Sequence, residues 1–516
     1  MTNIRILWAD DEIELLRPHI IFLNEKGYQV TSATSGGEAI DLIKEQRYDL
    51  VFLDENMPGK SGLETLSEIK SFAPSLPIVM ITKSEEESIM EEAIGSKISD
   101  YLIKPVNPNQ ILMTIKKHID TARLVSEKTT IGYQQAFRNI SMSLHNNMSF
   151  SEWEDVYKKL IYWEIELEKS DDNGMVEILD TQKQEANNLF ARFIEENYID
   201  WLHQGDDAPI MSHNVFKKKI FPEINQKDTT FLIVIDNLRL DQWQLLKPLI
   251  EEMFWIDKED TYLSILPTTT QYARNSLFAG LLPSDIEKLY PNLWSNDEDD
   301  GGKNLHEKEL MELQLKRLGN TDRFMYNKVL NPSYGRKVVS EIPNQMQNKF
   351  NVIVYNFIDM LSHARTDTDI IKELAEDEAA YRSLTISWFE HSPLKEALKE
   401  IAARKGKVII TTDHGSIKVK EPSKVIGDKT VNSNLRYKQG KNLTYQENEV
   451  FAITKPSDAF LPRVNVSQTF IFARNDHFFA YPNNYNHYVN YYKNTFQHGG
   501  ISMEEMIVPI IHLSPK

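Results

Sequence analysis

The nine residues "KVIITTDHG" (407–415) decide how this 516-residue chain is read. Their apolar run has no polar alternation, so it suits a strand buried on both faces, and it closes on an acid and a histidine. Two further runs end the same way: "TFLIVID" (230–236) at Asp236 and "VIVYNFID" (352–359) at Asp359. Strands of this kind belong to a parallel sheet, where ligands collect beyond the carboxyl ends of the strands. Three acids placed there, with His363 four residues after Asp359 and His414 next to Asp413, predict a metal-binding crevice in an α/β unit. His498, in "HGGISMEEMIVPI" (498–510), precedes a last apolar run, and the two following glycines permit a tight bend towards the same crevice.

Working outward, the length predicts about three domains. The chain is 41% hydrophobic and 26% charged, with a formal charge of −18 that argues against a surface built to neutralise nucleic-acid phosphates. No direct DNA binding is expected, and no helix-turn-helix segment is visible. The chain has no cysteine, which excludes disulfides, thiolate catalysis and cysteine-held zinc and leaves Asp, Glu and His as the strong ligands. The start enters a strand directly, and no apolar run nears the roughly 20 residues that span a bilayer. A cytoplasmic protein with no membrane insertion is expected.

Residues 1–122 alternate five apolar runs with helical patterns: "IRILWAD", "YQVTSAT", "DLVFLD", "PIVMIT" and "DYLIKP". That is a five-stranded doubly wound pattern. Asp10, Asp11, Asp54, Thr82 and Lys104 follow or end its strands and converge on one rim. Such a carboxylate cluster can hold Mg²⁺ while Asp54 attacks a phosphoryl group and Lys104 offsets the charge. Residues 123–210 turn helical, with Trp153, Val156, Tyr157, Leu160 and Ile161 on one face and Leu189, Phe190, Phe193, Tyr198 and Ile199 near another, separated by "SDDNG" (170–174). A small helical bundle is predicted. The "SHNVFKKKIF" stretch (212–221) reads as a polar connector with a solvated lysine face, and residues 211–516 as a second, larger α/β unit.

Within that unit, "LPTTTQYARNSLFAG" (266–280) sets three hydroxyls before an amphipathic helix. A hydroxyl becomes a nucleophile when a divalent metal and a helix N-terminus lower the cost of ionising it. Thr270 directly precedes "QYARNSLFAG" and stands four residues before Arg274, which brings a guanidinium to the same face. Thr270 is therefore the expected nucleophile and Arg274 its clamp, with Thr268 and Thr269 capping the helix and shaping the turn. "NDEDDGG" (296–302) reads as a solvated loop. "NSNLRYKQGKN" (432–442) reads either as a solvated loop or as one that folds Arg436, Tyr437, Lys438 and Lys441 over a phosphate.

These motifs carry resemblances. Residues 1–122 resemble the receiver domain of two-component response regulators. This implies Asp54 as phosphoacceptor, Mg²⁺ on Asp10, Asp11, Asp54 and the Asn56 main-chain carbonyl, and Thr82 with Tyr101 as the switch beside Lys104. The "VID", "PTTTQYARNSLFAGLLP", "FIDMLSH", "TTDHG" and "HGGISMEEMIVP" motifs resemble the alkaline phosphatase superfamily, the threonine segment its PglZ branch. The resemblance implies two zinc ions, one on Asp359, His363 and His498, the other on Asp236, Asp413, His414 and the Thr270 oxygen. The whole arrangement resembles PorX-type response regulators of type IX secretion. That implies a sensor histidine kinase, homodimerisation on phosphorylation, and contacts with the secretion machinery and a sigma factor. A threonine nucleophile with two metals fits phosphodiesters or phosphomonoesters; the missing cysteine rules out a sulfatase that makes its formylglycine from cysteine, and nucleotide-type diesters are the expected substrates. The alternative is a catalytically silent, metal-containing scaffold whose phosphorylation-driven dimerisation recruits protein partners.

Overall fold

The computed structural model describes residues 4–516 apart from 75, 84–97, 146, 170–172, 204–207, 225–227, 298, 300–301, 357, 359–376, 428–433, 464–466 and 483. The chain forms two compact units, one of residues 1–132 with 169–172, the other of residues 133–168 with 173–516.

The first unit holds a parallel sheet of β1 (Arg5–Ala9), β2 (Gln29–Ala33), β3 (Leu50–Asp54), β4 (Ile78–Thr82) and β5 (Asp100–Ile103), in the order β2-β1-β3-β4-β5. β3 and β4 are buried along their whole length, as central strands covered on both faces must be. All five strands are where the apolar runs predict them.

In the second unit, three long helices, Thr121–Ser143, Phe150–Glu168 and Asn173–Leu202, occupy the predicted helical stretch, the first of them beginning in the other unit. Trp153, Val156, Tyr157, Leu160 and Ile161 are all buried, and Trp153 packs edge-on to Phe190 with ring centroids 5.4 Å apart. These helices do not keep a core to themselves. Their buried side chains join one continuous cluster with Phe231, Ile233, Val352 and Ile410 of the α/β sheet. The 212–221 connector is also helical, with Phe216 and Ile220 fully buried, and Lys219 reaches Asp260 at 2.7 Å. It was expected to be a solvated link. Its apolar residues recur with helical spacing, and burying them outweighs the three lysines, of which Lys217 and Lys218 stay exposed.

The large sheet contains β6 (Thr230–Ile235), β7 (Phe254–Leu263), β8 (Phe324–Val329), β9 (Phe350–Tyr355) and β10 (Lys407–Thr411). Shorter strands follow: β11 (Ile417–Lys418), β12 (Glu421–Lys424), β13 (Tyr437–Gly440), β14 (Val450–Ile453), β15 (Thr469–Ala473), β16 (His477–Ala480) and β17 (Phe496–Gln497). The last strand, β18 (Ile507–Pro515), returns to the large sheet, whose order is β7-β18-β10-β6-β9-β8. β6, β8, β9 and β10 run parallel, and β18 enters antiparallel between β10 and β7. The three acid-ended runs are thus neighbours in the order β10-β6-β9, with their carboxyl ends on one edge. β9 stops at Tyr355, however, four residues before Asp359. Among the described residues no helix is long and apolar enough to cross a membrane.

Candidate active site

Thr270 opens a helical turn, wound as a π-helix over Thr270–Arg274, that continues as Asn275–Ala279 and ends at Gly280 in the left-handed region, with φ 62°. From Thr261 to Ala279 every residue is buried except Thr270, which is half-buried. The helix therefore presents a single hydroxyl at its head. That oxygen lies 3.4 Å from Asp236 Oδ1 and 3.3 Å from His414 Nε2. The neighbouring threonines do other things. Thr268 donates to the Gly500 carbonyl at 3.0 Å and accepts from the Gly499 amide at 3.0 Å, tying the segment to the turn after His498 instead of capping the helix as expected. Thr269 is extended, with φ −137°, and starts the helix through its carbonyl, which accepts from the Tyr272 and Ala273 amides; its hydroxyl makes no cap.

Asp236 follows β6, and the chain turns at once because Asn237 takes φ 64°, a conformation asparagine tolerates better than most residues. Asp413 and His414 follow β10. Their loop is locked by Thr412, which accepts from the Leu238 amide at 3.0 Å and donates to the His414 carbonyl at 3.0 Å, and by Ser264, which donates to the Asp413 carbonyl at 2.7 Å. His414 Nδ1 lies 3.0 Å from the Gly415 carbonyl. A carbonyl only accepts, so this contact assigns the ring hydrogen to Nδ1 and turns the Nε2 lone pair towards Thr270 and the carboxylates. His498 stacks on His414, with ring centroids 4.2 Å apart and 19° between planes. The bend behind it needs glycine, since Gly499 has φ 123°. Asp359 and His363 lie outside the described residues.

Arg274 is fully buried, and its guanidinium is shared among acids: it pairs with Asp236, reaches Asp413 Oδ2 at 3.0 Å and lies 3.4 Å from Glu307 Oε1. Burial opposes its charge, yet the three carboxylates hold its pKa well above the ordinary value. Burial would likewise raise Asp413, but the Arg274 guanidinium keeps its carboxyl below the usual range. Donor atoms of Asp236, Asp413 and His414 lie within 4.8 Å of one another, all three residues buried. Two carboxylates and an imidazole lone pair in a dry pocket fit a borderline divalent ion such as zinc. The sequence reading did not single out Glu307 or Asn356, whose side-chain oxygen stands 3.5 Å from Arg274. Asn356 directly follows the apolar strand β9 and carried a signal that could have been used; Glu307 begins the helix Glu307–Arg317 and looks like any surface acid.

Residues 434–442, the described part of the 432–442 stretch, form neither of the loops expected. Arg436 is buried and pairs with Glu505; Tyr437 begins β13 and donates to Asp297 at 2.7 Å; Lys438 is buried, its ammonium pKa pushed down to about 7 by that burial. Asp297 belongs to the acidic patch, where Lys303 also donates to the Asn296 carbonyl at 2.7 Å. Antiparallel pairing of β13 with β15 accounts for both departures, because it draws the stretch into a sheet.

In the other unit, Asp10 and Asp54 are buried, Asp11 is exposed, and their donor atoms also lie within 4.8 Å of one another. Lys104 Nζ bridges Asp10 and Asp54 at 2.7 Å each. Burial pushes the Asp54 carboxyl up, partly countered by Lys104 and reinforced by the Asp10 charge. Three carboxylates suit a hard cation such as Mg²⁺. Asn56 sits exposed in the turn two residues beyond Asp54, Thr82 donates to the Glu55 carboxylate, and Tyr101 pairs in register with Met80 on β4.

Comparisons with known proteins match three regions of the chain. Residues 6–116 match the response regulator receiver domain, 123–202 the PorX response regulator linker domain, and 215–513 the BREX system PglZ alkaline phosphatase-like domain. The alginate biosynthesis transcriptional regulatory protein AlgB of Pseudomonas syringae pv. tomato is 33% identical over 120 residues, covering 23% of this chain and 27% of its own. The transcriptional regulatory protein ZraR of Klebsiella oxytoca is 34% identical over 128 residues, 25% of this chain and 29% of its own. The chain thus spans less than a third of either relative. Among solved structures, a CheY-like receiver domain protein from Methanospirillum hungatei is 28% identical, covers 23% of this chain and 95% of that one, and has a TM-score of 0.23. The PglZ match takes in more than half of the residues, and the chain belongs to the PglZ alkaline phosphatase-like family, joined to a receiver and a linker as in PorX-type response regulators.

Proposed function

We propose that the chain is a response regulator whose effector, residues 211–516, is a zinc-dependent phosphodiesterase acting on nucleotide-type diesters and serving type IX secretion. The observation that carries this reading is the lone half-buried hydroxyl of Thr270, held between Asp236 and His414 at the head of a buried helix. Asp236, Asp413 and His414 would hold one zinc beside the Thr270 oxygen; His498, with Asp359 and His363, is proposed for a second. When bound, zinc supplies the positive charge that lowers the cost of ionising the hydroxyl. The chain's own groups do the rest. Thr270 would attack phosphorus, its proton passing to solvent as the hydroxyl ionises, His414 would give its Nε2 lone pair to the ion, and Arg274 keeps the two buried carboxylates aligned. Catalysis is tested by metal removal: chelation is expected to bring hydrolysis of a chromogenic phosphodiester to background, and added zinc to restore it. Undiminished turnover by a chelated, metal-free protein overturns zinc dependence.

In residues 1–122, phosphorylation of Asp54 by a sensor histidine kinase is proposed to drive dimerisation, and the cytoplasm is the proposed location. The helical linker is assigned residues 123–210, and contacts with the secretion machinery and a sigma factor belong to the same proposal. Asp54→Ala should abolish the rise in mass that acetyl phosphate produces in light scattering; an undiminished rise places the acceptor elsewhere. A second reading, the silent scaffold, draws on Arg274, since a guanidinium shared by Asp236 and Asp413 can hold both acids without an ion. Zinc-restored hydrolysis separates the two.

A further inference from the structure

Apart from these sites, a cavity of about 220 Å³ lies between the helices Phe150–Glu168 and Asn173–Leu202 and the effector turns around Ile417, Asp476 and Glu504. Leu167, Val176, Leu179 and Ile417 give it an apolar wall. The rest is charged and unevenly so: seven acidic side chains line it against three lysines.

Most of these acids already have cations. Lys183 Nζ is 2.7 Å from Glu164, Lys420 is 3.6 Å from Asp180, Arg382 pairs with Glu164 and Glu168, and Arg239 reaches Glu378 at 2.6 Å. Asp476 and Glu504 are served worse. Asp476 is 5% exposed, and its buried Oδ2 accepts no hydrogen bond. Glu504 is 6% exposed; one oxygen accepts from Asn187 at 2.9 Å, while the other stands 3.8 Å from Lys183, a long ion pair. Burial pushes both carboxyls up, the mark of charge that the surroundings under-compensate. A buried carboxylate oxygen without a donor is costly, and a ligand that donates to it recovers that cost. A single metal ion does not match the spread of the acids. Among the described residues, the acid and histidine groups close enough to share an ion are those of the two sites already described. An ammonium carries three donors, and an alkyl chain suits the leucine and valine wall.

We propose that this cavity binds a small aliphatic ammonium compound of the diamine or polyamine class, its methylenes against Leu167, Val176, Leu179 and Ile417 and an ammonium on Asp476. The site does not depend on the hydrolase reading. It is nonetheless close to the catalytic loop: the Glu504 carbonyl sits 2.0 Å from where a Cβ on Gly415 would be, and the Gly415 amide donates to the Glu505 carbonyl at 3.1 Å. The ligand would therefore seat behind the turn that carries His414 and join the linker helices to it.

Isothermal titration of the full-length protein with spermidine and with putrescine tests the proposal. One equivalent of at least one of them is expected to bind saturably, with affinity reduced tenfold or more in Asp476→Asn and in the cavity-filling Leu179→Trp. Asp476→Asn keeps shape and size, so the test stands even if the tryptophan variant fails to fold. The proposal is overturned by no saturable binding of either amine, by equal affinity in wild type and Asp476→Asn, or by an equal loss in the exposed-acid control Glu185→Gln. The last would mean diffuse attraction to an acidic surface. Displacement of the amine by equimolar Mg²⁺ also overturns it, in favour of an inorganic cation.

Discussion

Thr270→Val is expected to lower hydrolysis of a chromogenic phosphodiester by roughly 10³-fold or more, to near background, with zinc present in both proteins. Valine keeps the branched shape and removes only the oxygen. That oxygen's contacts, at 3.3 and 3.4 Å, are long for hydrogen bonds, so the fold should lose at most about 1 kcal/mol. The loss should fall on kcat while KM changes little, because the hydroxyl acts in bond making more than in holding the substrate. Zinc content read by elemental analysis checks that the site still assembles. Equal, near-background rates in wild type and variant would reject the enzymatic reading.

Arg274→Met should be the most damaging single change to stability in the effector. It leaves Asp236, Asp413 and Glu307, all buried, without the cation they share. Removing one partner of a buried ionic group costs about 3–5 kcal/mol, because the remaining charges stay out of water. A lowered denaturation midpoint is the expected readout. Zinc should recover part of the loss, and shift the midpoint more in the variant than in wild type, since two of the stranded carboxylates are its proposed ligands. A destabilised variant whose midpoint ignores zinc would show that Asp236 and Asp413 do not hold the ion.

Much of this was legible in the sequence, for a physical reason. A strand covered on both faces has to be largely apolar, so the first acid after it marks the sheet edge where chemistry gathers; Asp236, Asp413 and the five strands around Asp54 announced themselves this way. The place of Thr270 at the helix head was legible because a helix start favours hydroxyls and a buried helix leaves few side chains at its mouth. Arg274 was placed on the right helix but given half its surroundings, since Glu307 approaches from another helix with no local sign of it. The same holds for β13 and β18. Their pairing is a property of distant partners, Phe472 with Tyr437 or Ile510 with Thr411, and no window of ten residues contains both members. The helical connector was misread because three adjacent lysines hid the spacing of Val215, Phe216 and Ile220.

The insertion of β18 between β7 and β10 has a consequence for biosynthesis. A nascent chain emerges from the ribosome with β7 and β10 made and nothing to lie between them, so the large sheet stays open until residues 507–515 arrive. A translation product that stops short of Ile507 keeps its receiver unit intact but leaves β7 without its neighbour and an uncovered edge on β10, a template for aggregation.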